Sequence, residues 1–344
     1  MVHSAFHIEP VLKKSAHKIT ALDVWGERLV IATDDGLLLL LREQEGAHLV
    51  EFEVEETRQN FSKRPVVQMQ VAEPLGVLVS LTLEVVQIND LSALEVSSQL
   101  LKTRGAHSFT LSLDLSPAVL CVAVRNKLML FRWGDSGFTE WKEIVLPDIA
   151  TLHVACGESI CVAAGKRYML LNLFSGAQKE MFDSNSAAPS AHCLPAEGGG
   201  GDGGGERRRE LLLGRDNMSV FQDSQGRPSR KYGITWSEPV YSLLYLEPYI
   251  LGILPKVVEV KLLETQATVQ SLSLRATHVT ASSDKTGAFV VANNCVYRLR
   301  PVATSRQVPC RTPIEAPSLS LSLSPESPDR PYFTLYTLHP TPNI

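Results

Sequence analysis

The chain has 344 residues, 44% of them hydrophobic and 20% charged, with a formal net charge of −4. Such a chain can bury a large core without disulfides, and its mild acidity excludes a general electrostatic pull toward nucleic acid or an anionic membrane. The longest apolar run, Leu37 to Leu41, is far short of the ~20 residues a spanning helix needs. Met1-Val2-His3-Ser4 opens no signal peptide, so the expectation is a cytoplasmic protein that reaches membranes only through partners.

In chain order, the first element is Ala5-Phe6-His7-Ile8, extended and without a neighbour in sequence to pair with. Ile19 to Trp25 follows as a strand, and then comes a unit that recurs along the chain: a short apolar strand, a polar turn, and a second strand in which apolar residues tend to alternate. The copies begin with Leu29 to Leu41, Val77 to Asp90 and Leu120 to Trp133, and continue with Ile160 to Leu173 and Leu211 to Asp223. Tyr249 to Leu263 and Ala288 to Pro301 complete the series. Asp35-Gly36 and Asn293-Asn294 supply the positive φ that tight hairpin turns demand, and Val, Ile, Leu and Tyr fill the flanking strands as a half-buried sheet prefers. Further strand-like segments precede the hairpins, among them Val66 to Val71, Phe109 to Leu115, Ile149 to Val154, Val240 to Leu246 and His278 to Ala281.

The turn centres recur at about 40 residues, the period of a four-stranded propeller blade. Helices of 10–15 residues between strands, which a parallel α/β barrel needs, are absent. The expected fold is therefore an all-β, seven-bladed β-propeller. An open ring leaves two bare sheet edges, which proteins avoid, so the N-terminal strand is expected to supply the outer strand of the last blade.

The propeller is expected to span 1–302, with a disordered glycine-rich insertion at about 196–209 and a Pro/Ser-rich disordered tail over 303–344. The run Gly198 to Gly205 lacks the G-x-x-x-x-G-K-[ST] pattern of a phosphate loop. The six cysteines form no C-x-x-C pair. Cys121, Cys156, Cys161 and Cys295 sit in apolar runs and read as free core thiols of a reducing compartment, with disulfides the minority reading. The nine histidines are scattered and no Cys/His cluster has zinc-finger spacing, and no nucleophile elbow or kinase signature set appears. The expectation is no enzyme, no cofactor and no metal. Trp25, Trp133, Trp141 and Trp236 read as core or blade-interface residues, not as a base-stacking platform for nucleic acid.

Several segments extend the reading beyond the repeat. Asn60-Phe61-Ser62-Lys63-Arg64, Cys121 to Leu128, Glu158 to Ala163, and Trp236 followed by Pro248 to Pro255 together resemble the citron homology domain, over about residues 5–302. The match is to the form that builds the N-terminal propeller of a subunit of the HOPS tethering complex. That resemblance implies a binding platform in the tethering and fusion of late endosomes and lysosomes, facing a small Rab-type GTPase. In the family a helical solenoid follows the propeller and joins the other HOPS subunits. Here Arg311-Thr312-Pro313 and a Ser/Pro-rich end follow instead, so assembly with those subunits is in question, and a competitor lacking the solenoid is one alternative. A regulator of nucleotide exchange on a small GTPase is another. Lys63 and Arg64, adjacent cations in one of the longer gaps between hairpins, are the candidate partner contact, against a plain solvated loop with Phe61 tucked onto its blade. Lys13, Lys14 and Lys18 read as surface solubility.

Overall fold

The computed structural model describes residues 4–45, 50–83, 85–185, 189–195 and 209–302. The tail 303–344 and all but the last residue of the insertion expected at 196–209 lie outside them. The first strand is β1 (Phe6–Leu12). Blade one holds β2 (Ile19–Trp25), β3 (Arg28–Thr33), β4 (Leu38–Glu45) and β5 (Val50–Arg58), and blade two β6 (Val66–Ala72), β7 (Val77–Thr82), β8 (Val86–Asp90) and β9 (Val96–Leu100). Blade three holds β10 (Ala106–Ser112), β11 (Val119–Val124), β12 (Lys127–Gly134) and β13 (Gly137–Val145); blade four holds β14 (Ala150–Cys156), β15 (Ser159–Ala164), β16 (Arg167–Asn172) and β17 (Gln178–Asp183). Blade five follows with β18 (Ala191–Pro195), β19 (Arg209–Arg215), β20 (Met218–Asp223) and β21 (Ile234–Thr235), and blade six with β22 (Ser242–Leu246), β23 (Tyr249–Ile253), β24 (Val258–Leu262) and β25 (Thr268–Leu272). The last sheet, β26 (Ala276–Ala281), β27 (Ala288–Ala292) and β28 (Cys295–Pro301), takes β1 as its outer strand. The fold is a seven-bladed β-propeller closed by its N-terminal strand. Among the described residues, no helix is long and apolar enough to cross a membrane.

The second strand of a blade packs neighbours on both faces, which is why β7, β15 and β27 are buried at every position and read as continuous apolar runs. The core lies between consecutive blades: Ile31 and Leu40 of blade one share a cluster with Met69 and Leu78 of blade two and with Phe289 of blade seven. Five inner strands carry a bulge after their first residue. In three of them the extra residue is a threonine, and Thr20, Thr151 and Thr277 donate to the carbonyls of Ala32, Ala163 and Val291.

Closure is made of backbone and side chain together. β1 pairs antiparallel with β28 from Phe6↔Pro301 onward, and Phe6 is 1% exposed with its ring edge-on to Tyr249. The Gln270 carboxamide accepts from the Ala5 and Phe6 amides at 2.9 and 2.8 Å and donates to the Phe6 carbonyl at 2.9 Å. Asn294 donates to the carbonyls of Ser15 and His17 and accepts from the Ile19 amide at 2.8 Å, tying the β1–β2 link to the last hairpin.

The cysteine expectation needs one correction. Cys156 of β14 and Cys193 of β18 are joined by a disulfide across 5.6 Å between Cα atoms. The inner strands of blades four and five are neighbours in the ring, which a separation of 37 positions in the chain conceals. Cys121 and Cys161 are free and buried, and burial pushes the Cys161 thiol up to about 12.

Candidate interaction surface

Asn60 to Arg64 form the connection from β5 to β6. Asn60 takes a positive φ of 59°, which Asn tolerates better than most residues. Phe61 packs on the core between blades one and two. Ser62 is buried; its amide donates to the Gly36 carbonyl at 3.2 Å, and its hydroxyl accepts from the Arg64 amide at 3.3 Å. Gly36, at φ +83°, makes this approach possible, because a Cβ there would stand 1.9 Å from the Ser62 carbonyl oxygen. The exposed Lys63 and Arg64 side chains therefore leave a pinned backbone rather than a loose loop.

These residues form one wall of a cleft of about 340 Å³ on blade two. The other walls are Thr82 at the end of β7, Val85 in the β7–β8 turn, Gln87 on β8, Val96 and Gln99 on β9, and Leu101 and Arg104 just beyond it. The fold thus adds a third cation, Arg104, that lies 40 positions from Arg64 in the chain. Neither Lys63 nor Arg104 has an ion-pair partner among the described residues. Val96 and Leu101 are 43% and 59% exposed, an apolar floor beside the cations. Gln87 Oε1 is buried without a hydrogen-bond partner among the described residues. Sequence reading finds Lys63 and Arg64 but misses Arg104, Gln87, Val96 and Leu101; the one available signal is that Val96-Ser97-Ser98-Gln99-Leu100 holds no charge.

Elsewhere, polar groups are engaged in holding blades together. His153 Nε2 lies 2.8 Å from the Ser108 hydroxyl of blade three, and burial depresses both His153 and His192 to about 4. His153 occupies the register position that Leu22, Met69 and Phe109 fill in other blades. Asp23 on β2 accepts from the Val71 amide at 2.7 Å and the Thr280 hydroxyl at 3.1 Å, joining blades one, two and seven; burial raises its pKa. At the far end of the inner strands, a cavity of about 730 Å³ is spanned by Arg209 and Asp114 at 2.6 Å. His17, Asp34 and Asp35 bring ligand atoms within 4.8 Å of one another, all exposed. Their oxygens already serve the local turn: Asp35 accepts from Thr33 and Asp34 from the Lys18 amide.

Seven blades closed by the N-terminal strand, with a basic, apolar-floored cleft on one of them, define the class: a β-propeller whose candidate interaction surface lies on blade two. The chain belongs to the CNH-domain family, whose model matches residues 25–283. It is similar to a Vam6/Vps39-like protein of Mus musculus, 29% identical over 327 residues that cover 89% of this chain and 36% of that protein. It is also similar to vacuolar sorting protein 39 of Arabidopsis thaliana, 30% identical over 317 residues, 90% of this chain and 30% of that protein. The chain therefore spans about a third of the length of these relatives. Among solved structures, the AfRom2 CNH domain superposes with a TM-score of 0.63, covering 88% of this chain and 99% of that one at 15% identity. That likeness concerns the fold alone.

Proposed function

We propose that this chain is a non-catalytic platform in the tethering and fusion of late endosomal, lysosomal or vacuolar membranes, and that it recognises a small Rab-type GTPase. The observation that carries the reading is coverage: relatives named for vacuolar sorting align with about nine-tenths of this chain. The cleft supports it, since Lys63, Arg64 and Arg104 beside exposed Val96 and Leu101 offer both steering charge and apolar contact to a partner. The buried histidines and Asp23 support the non-catalytic part, being engaged in bonds between blades. In this reading the protein is cytoplasmic and rests on membranes through its partners, and any assembly with other HOPS subunits runs through contacts beyond the propeller.

The test is retention of late-endosomal Rab proteins, loaded with GTPγS or GDP, on the immobilised full chain. Preferential capture of the GTPγS form is expected, weakened about tenfold or more by the pair Lys63→Glu, Arg64→Glu, as for truncation of a charged contact. Capture of neither form overturns the reading. Nucleotide release timed in the same mixtures separates an exchange regulator from a passive binder.

A further inference from the structure

The outer strands of the seven blades are not equally protected. β5 carries Glu53, Glu55, Glu56 and Arg58, β13 carries Glu140, Lys142 and Glu143, and β17 carries Lys179, Glu180 and Asp183. β1 holds Glu9 and Pro10, and β21 has only two residues. Charge, proline and shortness are the devices by which proteins stop an edge from pairing with another chain. β25 lacks them, but its Gln270 side chain is bonded to the backbone of Ala5 and Phe6. β9 has no such device: it is five residues long, uncharged, and exposed at its first four positions.

We propose that β9 accepts an extended, acidic segment of a partner protein as a fifth strand of blade two, its carboxylates meeting Lys63, Arg64 and Arg104 across the adjoining cleft. This rests on the platform reading above and names the site and chemistry of one partner contact. An added strand gains main-chain hydrogen bonds along the edge, while alternate side chains enter pockets beside it. Here Lys63, Arg64 and Arg104 border the same cleft as Val96 and Leu101, so the set of side chains that faces it meets the cations beside an apolar floor, and the cations choose its sign. A second copy of this chain is a poorer occupant, because pairing β9 with β9 sets the same cations against each other.

The probe is a blocked heptapeptide alternating Glu and Val, titrated into the full chain, with a Lys/Val peptide as control. Two further Glu/Val peptides carry N-methyl groups on alternate residues, one set on each edge, so that charge is kept and only one edge can pair. The Glu/Val peptide should bind about tenfold or more tighter than Lys/Val, weaken with salt, and slow amide exchange within Val96–Leu100. Methylation of one edge should abolish binding and methylation of the other should not. Lys63→Glu with Arg104→Glu should weaken binding about tenfold at an unchanged melting temperature.

Three outcomes overturn the proposal: no binding of the Glu/Val peptide, equal binding of both methylated forms, or protection of β9 that rises with protein concentration alone. Peptide binding without capture of any GTPase removes the platform's assigned partner and leaves this site standing. Capture of a GTPase without peptide binding does the reverse.

Discussion

The seam between blades seven and one and the outer edge of blade two face the same physical problem, and the molecule treats them in opposite ways. At the seam, an unpaired β28 is covered by β1, and the join is reinforced by Gln270, Asn294 and the Thr280 hydroxyl donating to Asp23, each bonding backbone or side chain across elements far apart in sequence. At blade two, β9 is left bare, uncharged and beside three cations. The difference teaches that exposed pairing edges in a ring are not an accident of topology. Where stability requires it, the chain closes one; where none of the protective devices appears, the edge remains able to receive another chain.

The comparison breaks most severely if β1 is removed. Deleting residues 1–12 should abolish cooperative unfolding and drive aggregation, because losing buried Phe6 alone costs about 3–5 kcal/mol and β28 becomes an open edge. Calorimetry and light scattering check this, and an unchanged melting temperature would show that the ring closes without its clasp. Asn294→Ala sharpens the seam: three hydrogen bonds vanish and an alanine must hold φ 62°. A loss of about 2–4 kcal/mol in denaturant melts is expected.

The smallest effect at pH 7 comes from the polar groups on the inner strands away from both regions. His153 and His192 are held neutral to about 4, so the unfolded state binds protons first as pH falls. Stability is complete above their unfolded value near 6.5 and drains away between about 6.5 and 4, by as much as about 3 kcal/mol for each. Asp23 acts in the opposite sense, since its raised pKa means that acidification relieves the cost of its buried charge. His153→Leu restores the apolar side chain that its register position has in other blades and removes the Nδ1 that has no partner among the described residues. It should be neutral or raise stability by about 1 kcal/mol at pH 7 and flatten the acid limb of stability against pH, while leaving binding at blade two unaltered.

Sequence alone determined the architecture. Seven hairpins were legible because the middle strands of each blade are buried on both faces and read as uninterrupted apolar runs around a turn that tolerates positive φ. The closing strand was legible for a different reason: Ala5 to Ile8 had no other edge to join. The inner strand β18 was missed because Ala191-His192-Cys193-Leu194-Pro195 is short and mixed, and most outer strands were missed because one exposed face leaves them no more apolar than a loop.

Only the tertiary structure decided the rest. Lys63 and Arg64 were readable as adjacent charges, yet nothing in their neighbourhood announced Arg104, Gln87 or the floor of Val96 and Leu101. The ring likewise set Cys156 against Cys193 and placed Asp23 among three blades. The physical reason is common to all of these. A strand's own burial is written in its local pattern of apolar residues, whereas a site is made where separate strands meet, and curvature of the whole sheet assembly decides which ones do.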